Sequence, residues 1–214
     1  MKTLFISLVF AVFTAVTASA QFTGLFYTSS PQSYVGQGKT ETIVSGQDGW
    51  TFSAYYSYPE SNPKDVWFIL SKRADNVLVD IITLGFGPEL GSDFVIGKTY
   101  QATRWPFQSG TNAGMDFSAY SRGNNQLKGS FKLLDLVTGT GGNVISAAFD
   151  FYQLDDNMIP SVQATMWSYG SLRFNSDIPL NFAAVPEPST NVLLTIGLGL
   201  LVYFALRGRQ QVPS

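Results

Sequence analysis

Two neighbouring stretches decide the fold: Gln126-Leu127-Lys128-Gly129-Ser130-Phe131-Lys132-Leu133-Leu134-Asp135-Leu136-Val137, and Val144-Ile145-Ser146-Ala147-Ala148-Phe149-Asp150-Phe151-Tyr152-Gln153. In the first, Leu127, Phe131 and Leu133 fall on one face, and Lys128, Ser130 and Lys132 on the other. In the second, Ile145, Ala147, Phe149 and Phe151 share a face, with Ser146, Ala148, Asp150 and Tyr152 opposite. Side chains alternate across a strand, so period two with one apolar face marks a half-buried strand. Between the two runs, Thr138-Gly139-Thr140-Gly141-Gly142-Asn143 is rich in residues that tolerate positive φ. These features predict an antiparallel hairpin.

The same reading extends outward. Further strands are expected at Gly24–Thr28, Thr40–Val44, Trp50–Tyr56, Asp65–Ser71, Val77–Leu84, Lys98–Trp105, Gly114–Tyr120 and Thr165–Asn175. Gly170 inside the last suggests a bulge or bend. Pro59 to Pro63 and Gly85-Phe86-Gly87-Pro88 punctuate loops, and no window of ten or more body residues keeps a helical period. Many short strands at this spacing predict an all-β fold, an antiparallel β-sandwich that is jelly-roll-like or a flattened barrel. Residues 21–184 form one domain by length.

The flanks have a different character. Lys2 precedes a mostly apolar run from Leu4 to Val16, and Ala18-Ser19-Ala20 is a small-residue cleavage site with Gln21 as the new N-terminus. Residues 1–20 therefore read as a signal peptide, which implies the Sec translocon and signal peptidase as partners. At the other end, Val185-Pro186-Glu187-Pro188-Ser189-Thr190 precedes an uncharged stretch, Asn191 to Leu206, closed by Arg207-Gly208-Arg209. At about 1.5 Å per residue, a helix over about 190–206 approaches the length of a bilayer core. Arg207 and Arg209 would stay cytoplasmic and stop transfer, placing the body outside.

This order of parts in residues 185–214 resembles the PEP-CTERM sorting signal. The resemblance implies that an exosortase recognises Pro186, Glu187 and Pro188, and that the helix holds the substrate beside that enzyme. It implies a Gram-negative host that makes exopolysaccharide. The protein would sit in the inner membrane as a single-pass chain with its body in the periplasm, then pass to the cell surface or extracellular matrix. A permanent anchor without processing is the simplest alternative.

The body carries a resemblance of its own. Ala113-Gly114-Met115-Asp116-Phe117-Ser118, then Arg122-Gly123-Asn124-Asn125-Gln126-Leu127-Lys128-Gly129-Ser130-Phe131, resemble a module of bacterial exported proteins, many with the same tail. The likeness continues through Asp150-Phe151-Tyr152-Gln153 and Gly170-Ser171-Leu172-Arg173-Phe174-Asn175-Ser176. No activity comes with that module. Its members often carry cysteines where this chain has Asn124 and Asp155, so the resemblance implies that these two residues lie near each other.

Composition narrows the chemistry. The chain has no histidine and no cysteine. Ser/His/Asp and Cys/His nucleophilic sites are excluded, and a zinc site lacks its usual ligands. An exported domain without cysteine has no disulfide to hold it. The body, with ten Lys plus Arg and fourteen Asp plus Glu, has no basic patch for nucleic acid. Glycoside hydrolysis needs only two carboxylates, and Asp48, Asp65, Asp80, Asp93, Asp116, Asp135 and Asp150 are available, but nothing pairs them. Asp155-Asp156-Asn157 offers oxygen ligands for calcium at a spacing that is not an EF-hand.

The expected protein has no cofactor, no bound metal and no catalytic residue. It is a non-enzymatic surface or matrix protein, a substrate of the exosortase rather than an enzyme. The alternative is a carbohydrate-binding module for exopolysaccharide. Aromatic side chains fill strands and cores but also stack on sugars, and Trp50, Tyr56 and Trp105 are the candidate glycan contacts.

Overall fold

Alternation of apolar and polar residues lays down ten strands in this computed structural model, which describes residues 21–56, 64–156 and 159–182. They are β1 (Phe22–Ser29), β2 (Thr40–Val44), β3 (Trp50–Tyr56), β4 (Val66–Ala74), β5 (Val77–Gly87), β6 (Thr99–Arg104), β7 (Ala113–Ala119), β8 (Lys128–Thr138), β9 (Val144–Leu154) and β10 (Trp167–Ser176). Every strand expected from the sequence is present, and β2 and β3 have the expected bounds. One helical turn, α1 (Pro160–Gln163), was not expected. The expected signal peptide, membrane helix and sorting motif lie outside the described residues, as do 57–63 and Asn157. Among the described residues, no helix is long and apolar enough to cross a membrane.

The strands join one continuous sheet in the order β2-β1-β10-β9-β8-β6-β7-β5-β4-β3. It curls on itself, so the fold is nearer a flattened, almost closed barrel than two separate sheets. The ends of the order are tied back across the gap. Tyr55 of β3 bridges to Asn143 in the β8–β9 turn. Tyr120, just past β7, donates its hydroxyl to Glu41 of β2, and the Lys39 ammonium lies 3.2 Å from the Tyr120 ring centre.

All pairs are antiparallel except one. β6 and β7 run parallel over Ala102↔Ala113, Thr103↔Gly114 and Arg104↔Met115, which corrects the all-antiparallel expectation. Parallel neighbours normally need a long crossover. Here the pairing covers three residues, so the short loop 105–112 suffices to bring the chain back. That loop lies flat because Gly87 and Gly114 leave room for Gln108; a Cβ on Gly114 would meet its side chain at 2.9 Å.

The inner face is a continuous aromatic core. Phe86 stacks on Phe149 at 4.4 Å, and Tyr100 stacks on Phe131 at 4.8 Å. Phe117 joins Tyr27 and Phe151 at 5.5 and 5.2 Å. These rings come from β1, β5, β6, β7, β8 and β9, so the core bridges both halves of the curl. Burying each contributes about 1.5–3 kcal/mol.

Two local expectations are corrected. Pairing runs unbroken through Gly170, against Tyr27 and Phe151, so it marks no bulge. Instead the Phe151 ring lies across it, and a Cβ there would stand 2.3 Å from ring atoms. Ile145 is exposed while its neighbour Val144 joins the core, because the pairing with β8 slips from Val137↔Ser146 to Thr138↔Val144 and leaves Ile145 as the extra, outward residue. The β8–β9 turn is as expected, with positive φ at Gly141 and Gly142.

A buried polar hub closes one end of the curl. The Asp155 carboxyl is fully buried. Its Oδ2 accepts from Ser33 Oγ at 2.6 Å and from the Val35 N–H at 3.2 Å. Its Oδ1 accepts from Asn124 Nδ2 at 2.9 Å and from Gln153 Nε2 at 3.3 Å. The Gln163 side-chain amide donates to the Asp155 carbonyl at 3.0 Å. Asn124 and Asp155 are thus in direct contact, as the resemblance implied. A buried carboxyl is costly unless its acceptor sites are filled, and here four donors fill them.

Removing the hub carboxyl leaves the Val35 N–H and the Asn124 amide without their acceptor, while Ser33 Oγ keeps Ser168 and Gln153 Nε2 keeps the Phe117 carbonyl. Asp155→Ala is expected to lower stability by about 3 kcal/mol. Urea denaturation followed by tryptophan fluorescence measures this, with an exposed strand residue such as Thr51→Ala as the control that changes little.

Candidate functional site

The outer face of the sheet carries an aromatic row beside a polar recess. Tyr55, Trp67, Gly85 and Asp116 lie side by side on β3, β4, β5 and β7. The Trp67 ring lies over Gly85, where a Cβ would stand 2.7 Å from it. Trp105 meets Trp67 edge-on at 4.9 Å. The Trp67 indole N–H donates to Asp65, whose carboxyl burial pushes above its ordinary range, partly offset by that bond. Tyr55 remains 45% exposed.

The recess opens next to this row. It has a volume of about 330 Å³ and is lined by Arg104, Asp116, Ser118, Arg122 and Asn125, among others. Arg104 ends β6, Asp116 and Ser118 project outward from β7, and Arg122 and Asn125 lie on the turn after it. Positive φ at Tyr120 and Ser121 makes that turn tight. Arg104 donates to the Asn125 carbonyl at 3.1 Å, which joins the two walls. Two buried polar atoms here have no protein partner, Arg104 Nε and Asp116 Oδ1. Burial raises the Asp116 carboxyl to about 6, against the opposing pull of the Arg104 charge.

The three aromatic contacts expected from the sequence are not brought together. Trp50 is only 7% exposed and belongs to the core cluster. Tyr56 is half-buried and packs against the same core. They lie at opposite ends of β3. Trp105 alone stands on the outer face, and its partner there is Trp67. Parity along β4 placed Trp67 opposite the inward Val66 and Phe68, a signal that the choice of Trp50 overlooked.

Asp155 turns inward to its four donors, and among the described residues no group of three Asp or Glu is placed to hold a metal ion. Gln21, the expected new N-terminus, is exposed and directly precedes β1.

Beyond β10 the chain folds back as a strap, residues 177–182, over β10 and β9. Arg173, 1% exposed, donates Nε to the carbonyls of Ile178 and Pro179 at 3.2 and 3.0 Å. Its Nη2 pairs with Asp150 at 2.9 Å. Asn181 donates its N–H to Ser171 Oγ at 2.9 Å and its amide to Asp150 at 3.2 Å. Phe182 packs edge-on against Phe26 at 4.9 Å. Pro186 comes four residues later, no more than roughly 14 Å of extended chain.

Comparison with known proteins identifies the segment behind the strap. A family model described as the PEP-CTERM protein-sorting motif matches residues 184–210. The match begins two residues past Phe182 and takes in Pro186, Glu187, Pro188, Arg207 and Arg209. No curated protein matches the chain. No solved structure matches it. The chain therefore carries a PEP-CTERM sorting motif behind an almost wholly β body. That motif marks it as an exported protein of the exosortase-directed kind, held at a membrane and then processed in Gram-negative bacteria.

Two outcomes are expected. Asp116 keeps its proton in the folded state up to about pH 6, whereas the unfolded carboxyl ionises near 3.8. The folded state then binds more protons between those values, so stability falls as pH rises through the window. Asp116→Asn should raise stability at about pH 8, by up to about 3 kcal/mol, and add little at about pH 4. Denaturation at both pH values measures the difference. Separately, Arg173→Ala should release the strap, and limited proteolysis should cut residues 177–182 faster while the remaining body stays resistant.

Proposed function

We propose that this is a non-enzymatic surface or matrix protein whose folded body is delivered outside the cell and separated from its tail by an exosortase. The observation that carries the reading is the sorting-motif match at 184–210, which starts directly behind a strap bonded to the body. The tail serves as an address and the body as cargo. Pro186, Glu187 and Pro188 are the recognised residues, the segment of about 190–206 spans the inner membrane, and Arg207 and Arg209 stop transfer. The Sec translocon and signal peptidase act earlier, with cleavage after Ala18-Ser19-Ala20 to leave Gln21. The mature body then resides at the cell surface or in an exopolysaccharide-rich, biofilm-type matrix.

One observation favours a second reading, that the body binds carbohydrate. Trp67 and Trp105 meet on the outer face beside a recess with unpartnered polar atoms. Aromatic faces flanked by hydrogen-bonding groups suit sugars, which present apolar C–H faces and hydroxyl edges.

Expression in the native host, with and without its exosortase, tests the first reading. Intact mass should show loss of the tail near residues 186–188 only when the enzyme is present, and changing Pro186, Glu187 and Pro188 to Ala should abolish that loss. A full-length chain in the inner membrane of both strains would leave a permanently anchored, outward-facing domain.

A further inference from the structure

The recess between β6, β7 and the following turn holds polar groups that the fold leaves unused. Arg104 Nε and Asp116 Oδ1 are buried without partners. Arg122 lines the recess, and among the described residues only its backbone is hydrogen-bonded, its guanidinium having no bond or ion pair. Native structures satisfy nearly all their buried polar atoms; six other buried side-chain atoms among the described residues are also unpaired, and what sets this pair apart is that both belong to residues lining one open recess together with Arg122. Resting on the carbohydrate reading, we propose that this recess binds the carboxylated residue of an acidic polysaccharide, a uronate-type sugar.

The chemistry of the walls selects that ligand. Two guanidinium groups present planar forks that match a carboxylate. Arg104 is held by the bond from its Nη1 to the Asn125 carbonyl, and its Nε is left without a protein partner. Asp116 accepts from donors and so suits sugar hydroxyls, and it opposes a second negative charge. Two arginines and one carboxylate favour a monoanion over a phosphate dianion. Ser121 and Asn125 add hydroxyl and amide groups at the mouth. Phe107 stands 70% exposed with the Arg104 guanidinium 5.5 Å from its ring centre, an apolar face on which a sugar ring can stack beside its bound carboxylate. At about 330 Å³ the recess is at the small end of ligand sites, roughly 300–1,000 Å³, as a subsite for one or two sugar units.

Titration calorimetry on the full-length protein in detergent micelles tests this, with trigalacturonate, its fully methyl-esterified form and sodium phosphate as probes. The acid form should bind, and esterification should weaken it by roughly tenfold or more, the loss of one charge-assisted contact. Arg122→Gln and Arg104→Gln should do the same, and Phe107→Ala should weaken binding severalfold. The fold uses Arg122 through its backbone bonds to Ala119, which Arg122→Gln keeps, so that variant stays interpretable if Arg104→Gln perturbs folding. Equal binding of acid and ester forms, or no effect of Arg122→Gln, would overturn carboxylate recognition while leaving a glycan-binding body in place. Phosphate binding without trigalacturonate binding would reduce the recess to a simple anion site and overturn the proposal. Silence toward both sugar forms would also sink it, and the broader carbohydrate reading would fall with it only if an array of neutral glycans were silent too.

Discussion

The buried carboxyl of Asp155 is the constraint on which the rest of the body depends. It ties together segments that no strand pairing joins: the turn at Ser33–Val35, the turn at Asn124, the end of β9, and through its carbonyl Gln163 of α1. A cysteine-free exported domain must close such an end by packing and hydrogen bonding. A carboxyl with four donors does this well, because each donor is itself a group that burial would otherwise penalise. Asn124 extends the hub, since its side-chain carbonyl accepts the Asp156 N–H at 3.3 Å. The next residue, Asn125, holds Arg104. The shape of the outer recess thus depends on the hub beneath it.

A second constraint separates the body from its tail. The aromatic core ends at β10, yet the chain stays bonded to the sheet as far as Phe182. Arg173 makes this possible. Its guanidinium is buried, which is tolerable only because Asp150 and four carbonyls surround it. The sorting-motif match then begins at residue 184. Little slack lies between cargo and address. On the proposed reading, an exosortase acting at Pro186-Glu187-Pro188 would work within roughly 14 Å of chain from Phe182.

Much of the fold was legible in the sequence for a simple reason. In a sheet with one packed face, burial reads out as alternation, and β3, β4 and β6 follow it, whereas β1 and β10 are buried on both faces along most of their length. Closure was less legible. The parallel β6–β7 pair depends on a loop that lies flat on Gly87 and Gly114, and glycine reports an empty space without saying what fills it. Gly170 is the same case, where the missing Cβ serves the Phe151 ring rather than a bulge. The contact between Asn124 and Asp155 came from a resemblance, because nothing in the spacing of two polar residues predicts a shared hydrogen bond. The outer recess was illegible. Arg104 and Asp116 become neighbours only through the parallel pair, and Trp67 gains its place beside Trp105 from the same loop. Trp50 was an attractive aromatic that the curl buried. The tail was legible because its order of motif, apolar run and arginines acts as a linear signal and needs no fold to bring it together.

If address and cargo are separable, residues 183–214 carry sorting, and the β body carries whatever the protein does outside. The decisive measurement is the intact mass, in the native host, of an unrelated exported domain onto which residues 183–214 have been transplanted. Separability predicts that the foreign domain is processed near the Pro-Glu-Pro motif when the exosortase is present and remains full length when it is absent. A transplant left unprocessed, while the native protein in the same cells is processed, would refute it and place part of the recognition on the body.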